Sequence, residues 1–348
     1  MLKGLKYRLY PTNSQKELIA KHIGSSRFVY NLALETKTTA YLGSKHNFSP
    51  FDLIKQLPEL KKEYAWLKEV NSQTLQQSIQ NMDIAFKKFF KGAGFPKYKS
   101  KHKGKQSFSI PQNVLVEGNK LVIPKFKEGI DIVLHREIKG TIKSATISVT
   151  PTGKYFASIL VDTNTEIPTK TPIAESTAIG IDLGIKDFAV TSSGEVFDNP
   201  KHLKEAQSKL KYVQRKYTKN KGKRTKKRLA LLHEKIVNKR KDFLHKTSTK
   251  LIRENQTICL EDLAVSNMIK NHNLAQAISD VSWSTFVTML EYKADWHGKT
   301  VLRIGRFAPS SKTCSCCGYI NKELTLKDRE WVCPKCNSVL DRLSLIHI

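Results

Sequence analysis

Apolar and polar residues alternate over residues 2–10, so the chain opens with a half-buried strand that Pro11 ends. Thr12, Asn13 and Ser14 follow as candidate N-caps. Behind them Leu18, Ile19, Ile23, Phe28, Val29, Leu32 and Leu34 recur at helical spacing. Further helices are predicted from 49 to about 60 and from 72 to 90. In the later one, Leu75, Ile79, Met82, Ile84, Ala85 and Phe89 supply the apolar face. Residues 91–108 lose the helical period, and from 107 to 163 the pattern is β. One hairpin turns at Gly118-Asn119 and a second at Pro151-Thr152-Gly153. A strand, a helical insertion and a return to antiparallel strands predict a split β-barrel (residues 1–12 and 107–165) interrupted by a helical domain (13–106). Residues 163–172 read as a linker.

The second half alternates strands with helices, so the chain as a whole is a multidomain α/β protein. Ala178 to Ile181 is a buried strand, and FAVTSSGEVF a hairpin turning at Ser193-Gly194. Two long basic helices, 201–218 and 223–252, are separated by a break near Gly222. Leu229, Leu232, Ile236, Phe243, Leu244 and Leu251 stripe the second one. QTICLEDLAV is a buried strand ending in acids, residues 282–298 an amphipathic helix with Gly298 at its C′ position, and TVLRIGRF a final strand. The order strand, hairpin, helices, acidic strand, helix, strand is RNase H-like and predicts such a domain over 173–308. No internal repeat and no glycine-rich phosphate loop is present.

Charge narrows the function. In 348 residues, 60 Lys and Arg face 31 Asp and Glu, a formal charge of +29, while 39% apolar residues indicate globular cores. Such a field calls for a polyanion, and nucleic acid is the expected partner. A ribosomal-type or membrane-surface protein is the alternative. The N-terminus lacks the apolar segment of a signal peptide, and no run of apolar residues is long enough to span a bilayer. A cytoplasmic protein of bacterial or archaeal type, with no membrane partner, is expected.

Two basic stretches are candidate nucleic-acid contacts. In 91–108, Lys97, Lys99, Lys101, Lys103 and Lys105 alternate with small or polar residues, and Tyr98 lies among them, flanked by Phe95 and Phe108. Cations that follow a phosphate backbone and aromatics that stack on bases make a single-strand groove; a solvated loop is the competing reading. The second is Lys223, Arg224, Lys226, Lys227 and Arg228, at the start of the longer basic helix.

Six cysteines are present, and five cluster at 314–336. Cys314-x-x-Cys317 and Cys333-x-x-Cys336, separated by 15 residues, have the spacing of a zinc ribbon (309–340), two knuckles presenting four thiolates to one tetrahedral Zn²⁺. Cys316 is an extra thiol and Cys259 lies in an apolar run. This is metal usage in a reducing compartment rather than a disulfide framework.

Asp182 interrupts an apolar strand in GIDLG, and Glu261 ends another in CLEDL. A carboxylate in such a strand is costly to bury unless a cation neutralises it. On neighbouring parallel strands the two could hold Mg²⁺ or Mn²⁺ for phosphodiester cleavage. A turn role for Asp182, or a helix N-terminal role for Glu261, is the alternative. Asp187 and Asp262 are lesser candidates, Asp262 because it would point away from Glu261 if the strand continued. His233 and His245 lie on the basic helices and read as surface or phosphate-contacting residues rather than metal ligands.

GIDLGIKDFAV at 180–190, ICLEDL at 258–263 and the SSKTC and CGY segments around the first knuckle resemble the TnpB (OrfB) family. So do the KYRLYPT and FPKYKSK segments. These transposon-encoded proteins are related to type V CRISPR nucleases, and the resemblance covers about 2 to 341. It implies a wedge-type β domain split by a helical recognition domain, an RuvC-type RNase H domain, and a zinc ribbon before the last RuvC motif. It further implies RNA-guided DNA cleavage, with guide RNA and target DNA as partners. Motif matching gives Asp182 the first and Glu261 the second catalytic position, and makes Cys314, Cys317, Cys333 and Cys336 the zinc ligands. The family's third carboxylate, in D-R-D-x-N-A-A, falls on Leu343, and Asp341 matches only the first Asp of that motif. Residues 341–348 therefore read as a truncated or altered last motif, with impaired cleavage expected. A cleavage-dead RNA-guided DNA binder and an RNase H-like DNA-strand transposase are the alternatives.

Overall fold

The computed structural model describes residues 1–305, 312–314, 316–324 and 330–341. The chain divides into two compact units, Met1–Thr165 and Glu166–Ile348.

In the first unit, β1 (Leu2–Tyr10) leads into α1 (Asn13–Ser44), and Pro11 lies between them. Thr12 caps α1 and forms a reciprocal capping box with Gln15, so two orphan N–H groups are satisfied at once. The helix expected from 49 to 60 is two helices, α2 (Pro50–Lys55) and α3 (Leu57–Glu63). Pro58 is the cause. It cannot donate to the preceding turn, but it fits the first turn of a new helix.

Next comes α4 (Ser72–Phe89), which buries Leu75, Ile79, Met82 and Phe86. Ile84, expected on that face, is exposed. The stripe steps by four, three and four residues, which leaves Ile84 on the outer side.

Six strands follow: β2 (Gln106–Ile110), β3 (Leu115–Glu117), β4 (Lys120–Ile123), β5 (Phe126–Val133), β6 (Thr141–Val149) and β7 (Tyr155–Asp162). With β1 they form one antiparallel sheet in the order β2-β6-β7-β1-β5-β4-β3. Both expected turns are present, with Gly118 and Gly153 at positive φ. The expected barrel is not closed among the described residues. The edge strands β2 and β3 are joined only by residues 111–114, which reach at most about 18 Å, so the sheet must curl. Pro111 cannot donate a ladder hydrogen bond, and β3 is only three residues long, so the edges stay unpaired.

Tyr7 and Leu9 of β1 enter the sheet's core together with Ile19 and Ile23 of α1. Farther along α1, Val29, Tyr30, Ala33 and Leu34 join a second core with α2 to α4. His22 lies at the junction and is fully buried. Its Nδ1 is 2.8 Å from the Leu18 carbonyl, and its Nε2 accepts the Asn71 N–H at 3.1 Å. Those partners fix a neutral ring with the proton on Nδ1. Burial lowers its pKa.

The second unit begins with β8 (Ala178–Leu183), β9 (Asp187–Thr191) and β10 (Val196–Asp198). Two long helices follow, α5 (His202–Asn220) and α6 (Lys223–Glu254), with Lys221 in the left-handed region at the break. Then come β11 (Thr257–Glu261), α7 (Val265–Met268), α8 (His272–Val281), α9 (Trp283–Trp296) and β12 (Thr300–Ile304). Strand order is β10-β9-β8-β11-β12. The first three strands are antiparallel, whereas β11 runs parallel to both β8 and β12. Phe188, Leu244, Leu251, Phe286 and Leu290 bury α6 and α9 against this sheet. Gly298 ends α9 at φ +63, where a Cβ would lie 2.8 Å from Pro168. Among the described residues, no helix is long and apolar enough to cross a membrane.

Two buried polar arrangements brace the helices. Lys201, the N-cap of α5, provides no side-chain cap. Asp280 of α8 takes that role, accepting the Leu203 N–H at 2.9 Å and pairing with Arg240 of α6 at 2.6 Å. Lys293 of α9 donates to the His245 carbonyl, Ser248 Oγ and Thr249 Oγ1 at 2.7–2.9 Å, which satisfies its three N–H donors. Burial lowers its pKa to about 8.

Candidate active site and metal centre

The sheet of the second unit brings the two predicted carboxylates together. Ile181 of β8 and Leu260 of β11 are Cα partners, and both are fully buried. Asp182 and Glu261 are the next residues, at the carboxyl ends of adjacent parallel strands that stand about 4.8 Å apart. Both are half-buried. Burial, followed by the Glu261 charge, raises the Asp182 pKa. Two acids that repel each other in a partly desolvated position suit a cation, and the hard oxygen donors suit a divalent one.

Asp262 does not continue the strand, because β11 ends at Glu261. Its N–H bonds the Ile304 carbonyl at 3.1 Å, and its carboxylate is 3.7 Å from Arg303, which also pairs with Glu291. Asp262 therefore lines the same small cavity of about 170 Å³ as Glu261, together with Leu183, Trp283, Thr288 and Arg303. Trp283 and Arg303 carry no sequence signal of their own; only the packing of α9 and β12 places them there. Asp187 starts β9, where its Cα partner is Asp198 of β10.

The four cysteines also converge. The sulfurs of Cys314, Cys317, Cys333 and Cys336 all lie within 4.8 Å of one another, and two of the pairs, Cys314–Cys336 and Cys317–Cys333, are at 3.5 Å. Four thiols at Zn–S distances of about 2.3 Å would have this separation in a tetrahedral shell, so the donor set fits one metal such as zinc. Hydrogen bonding from Ser338, 3.2 Å from the sulfur, holds the Cys336 thiol down to about 6. Cys316 is exposed and outside the cluster, and Cys259 is buried in β11. The antiparallel β13 (Glu330–Val332) and β14 (Val339–Asp341) support the second knuckle, with Trp331, Cys333 and Leu340 in a small core. Asp341 is the β14 partner of Glu330, and Leu343 lies outside the described residues.

The candidate nucleic-acid residues are displayed in different ways. Lys97, Tyr98, Lys101, Lys103 and Lys105 are exposed, as are Lys223, Arg224, Lys226, Lys227 and Arg228. Lys99 is exposed as well, but it is also tied to the body. Asn31 exchanges two hydrogen bonds with its backbone, at 2.8 and 3.0 Å, and its ammonium sits 3.9 Å over the Tyr30 ring. Desolvation there lowers its pKa. His233 and His245 are exposed, as their positions on the basic helix predicted.

Family profiles match much of the chain. A profile described as "Probable transposase" (OrfB) matches 158–272, and a Cas12f1-like TNB domain profile matches 283–342. A profile described as a helix-turn-helix domain matches 1–45, although that stretch is here one strand and one continuous helix. A Streptomyces pristinaespiralis protein named "Putative RNA-guided DNA endonuclease" is 39% identical, over 98% of this chain and 86% of that protein. The Escherichia coli K12 protein "Putative RNA-guided DNA endonuclease InsQ" is 30% identical, over 95% of this chain and 87% of that one. Among solved structures, a Cas12f1–sgRNA–target DNA complex contains a chain of similar fold, with TM-score 0.59 at 12% identity, covering 100% of this chain and 98% of that one. The class is thus a transposon-type nucleic-acid enzyme family with a Cas12f1-like α/β fold. The chain belongs to the TnpB (OrfB) family.

Proposed function

We propose that this protein is an RNA-guided DNA endonuclease whose metal-dependent cleavage centre is built on Asp182 and Glu261. The observation that carries this reading is their placement one step past the Ile181–Leu260 pair, on adjacent parallel strands. In open α/β sheets, ligands bind beyond the carboxyl ends of such strands. The strand order β10-β9-β8-β11-β12 supports an RNase H-like domain of RuvC type over 173–308. Residues 1–12 and 107–165 form the wedge-like part, 13–106 the helical recognition part, 309–340 the zinc ribbon and 341–348 the altered last motif.

Bound Mg²⁺ or Mn²⁺ would supply activated water and charge stabilisation at the scissile phosphate. Asp182 and Glu261 would hold the ions through carboxylate oxygens, and neutralisation would relieve their mutual repulsion. Zn²⁺ on the four cysteines would be structural, because a four-thiolate shell leaves no open position. The exposed cations of the 91–105 loop and the α6 start would follow the phosphate backbones of guide RNA and target DNA.

Leu343 favours a second reading: with the third carboxylate replaced by an apolar side chain, the protein binds its target but cuts it poorly or not at all. Protein co-expressed with RNA from its own locus, a matched DNA duplex and Mg²⁺ separates these readings when binding and cleavage are measured together. Cutting that Asp182→Ala abolishes supports the endonuclease. Binding without cutting supports the disarmed binder. Specific binding to transposon ends with no co-purifying RNA would replace both with a DNA-strand transposase.

A further inference from the structure

Gly24 lies inside the 32-residue α1, where glycine weakens a helix relative to alanine. No steric demand of the fold explains it. A Cβ built there meets only Arg27 Nη2, at 4.0 Å, which is ordinary contact distance. Its φ is helical, so no special backbone conformation needs it either.

Gly24 instead lines a cleft of about 420 Å³ within the first unit, together with Lys21, Ser25, Arg27, Phe28, Trp66 and Glu69. Trp66 is 42% exposed. It is held edge-on by Phe28, with ring centroids 5.1 Å apart and planes at 66°, and Tyr64 backs both rings. The cleft thus presents an indole held by its neighbours, the Arg27 guanidinium, which also donates to Gln106 Oε1 at 3.4 Å, and a stretch of helix backbone with no side chain at Gly24. Lys21 pairs with Glu69 at the rim, at an exposed position where ion pairs are weak.

We propose that this cleft receives an unstacked nucleobase of a bound strand, with the base against Trp66 and its phosphate toward Arg27. Aromatic faces stack on bases of any sequence, and guanidinium groups pair with phosphate, so the chemistry matches a nucleotide. The missing side chain at Gly24 lets the ligand approach α1 closely. The proposal rests on the protein being a nucleic-acid binder, but not on its cleaving DNA or on Asp182 and Glu261.

The test uses the full chain at physiological salt, with single-stranded RNA and DNA oligonucleotides of one sequence as probes. Tryptophan emission is compared between wild type and Trp66→Phe, so that the difference isolates Trp66. The expected result is quenching of the Trp66 signal on binding by one strand type, which identifies whether the base is RNA or DNA. Gly24→Ala should fold, melt higher than wild type, and need roughly tenfold more of that strand for half-quenching. Trp66→Ala should weaken binding by a similar factor. Absence of a Trp66-specific signal with both strands would overturn the proposal, as would a quench that Gly24→Ala leaves unchanged. Loss of all oligonucleotide binding in wild type would instead remove the nucleic-acid reading itself.

Discussion

Asp182 and Glu261 sit side by side because Ile181 and Leu260 are register partners, and the two acids are the next residues on parallel strands. The apolar pair is fully buried and anchors the register. The acids then emerge together at the sheet's carboxyl edge.

That proximity has a thermodynamic signature. The Asp182 pKa is raised in the folded state, so its ionisation opposes folding. This penalty is absent below the ordinary aspartate pKa and complete above the raised one. Asp182→Asn should therefore melt higher than wild type at pH 7, and the difference should vanish on acidification toward pH 3. Mg²⁺ at a hundredfold excess over Kd should add about 2.7 kcal/mol to the stability of the wild type, so that its melting temperature rises, and leave Asp182→Asn unmoved. Calorimetry with and without Mg²⁺ checks both points. An unchanged wild-type melting temperature in Mg²⁺ would remove the carboxylates from a metal site.

The four-sulfur cluster predicts one equivalent of zinc in protein purified without chelator. Cys333→Ser should release it and loosen Trp331 and Leu340, which share the ribbon core. Cys316→Ser should retain zinc, since that thiol is exposed and outside the cluster. Metal analysis of the three proteins decides the matter.

His22 should make the first unit acid-sensitive. Its pKa is lowered by burial, and its Nε2 must stay unprotonated to accept from Asn71. Stability is full above the ordinary histidine pKa, near 6.5, and falls as pH drops from there toward the lowered folded value. His22→Gln should lose about 1 kcal/mol at pH 7 through the disturbed hydrogen bond. It should also lack the decline that wild type shows between pH 7 and 5. Urea midpoints across that range would show it.

Asp280 ties α5, α6 and α8 to one carboxylate, and its partner Arg240 is largely shielded. Asp280→Ala leaves the Leu203 N–H without its acceptor and the guanidinium without its counter-charge. A loss of about 3 kcal/mol is expected, as for other broken shielded pairs. Chemical denaturation that found less than about 1 kcal/mol would mean that water replaces the carboxylate at little cost.

Met82 and Ile84 test how α4 is oriented. Met82 is fully buried, so Met82→Ala should cost about 2–5 kcal/mol. Ile84 is 45% exposed, and Ile84→Glu should change stability by less than about 0.5 kcal/mol. Equal losses would contradict the observed face.

Much of this molecule is written in short-range pattern. Alternation, capping chemistry and turn glycines are local, so β1, the Thr12 cap, the Gly118 and Gly153 turns and the break before α6 could all be read from adjacent residues. The cysteine knuckles are local too. The same signals misplaced Ile84, because two buried stripes can be drawn through one helix until its neighbours choose between them. They missed α8, although Asn271 followed by Leu274, Ile278 and Val281 offered a cap and a helical period. Sheet order and closure were beyond them, since β2 and β3 adjoin in sequence yet occupy opposite edges.

By itself, then, the sequence determined the residue types: two acids ending apolar strands, four thiols in two knuckles, and a surplus of cations. Tertiary structure decided which groups meet. Register on parallel strands far apart in sequence set Asp182 beside Glu261. The end of β11 turned Asp262 into the cavity of Glu261 and Arg303, and α1 packing hid His22 and left Gly24 bare. The physical reason is that propensity acts between near neighbours along the chain. Burial and charge act between neighbours in space, and these exist only once the sheet and helices have packed.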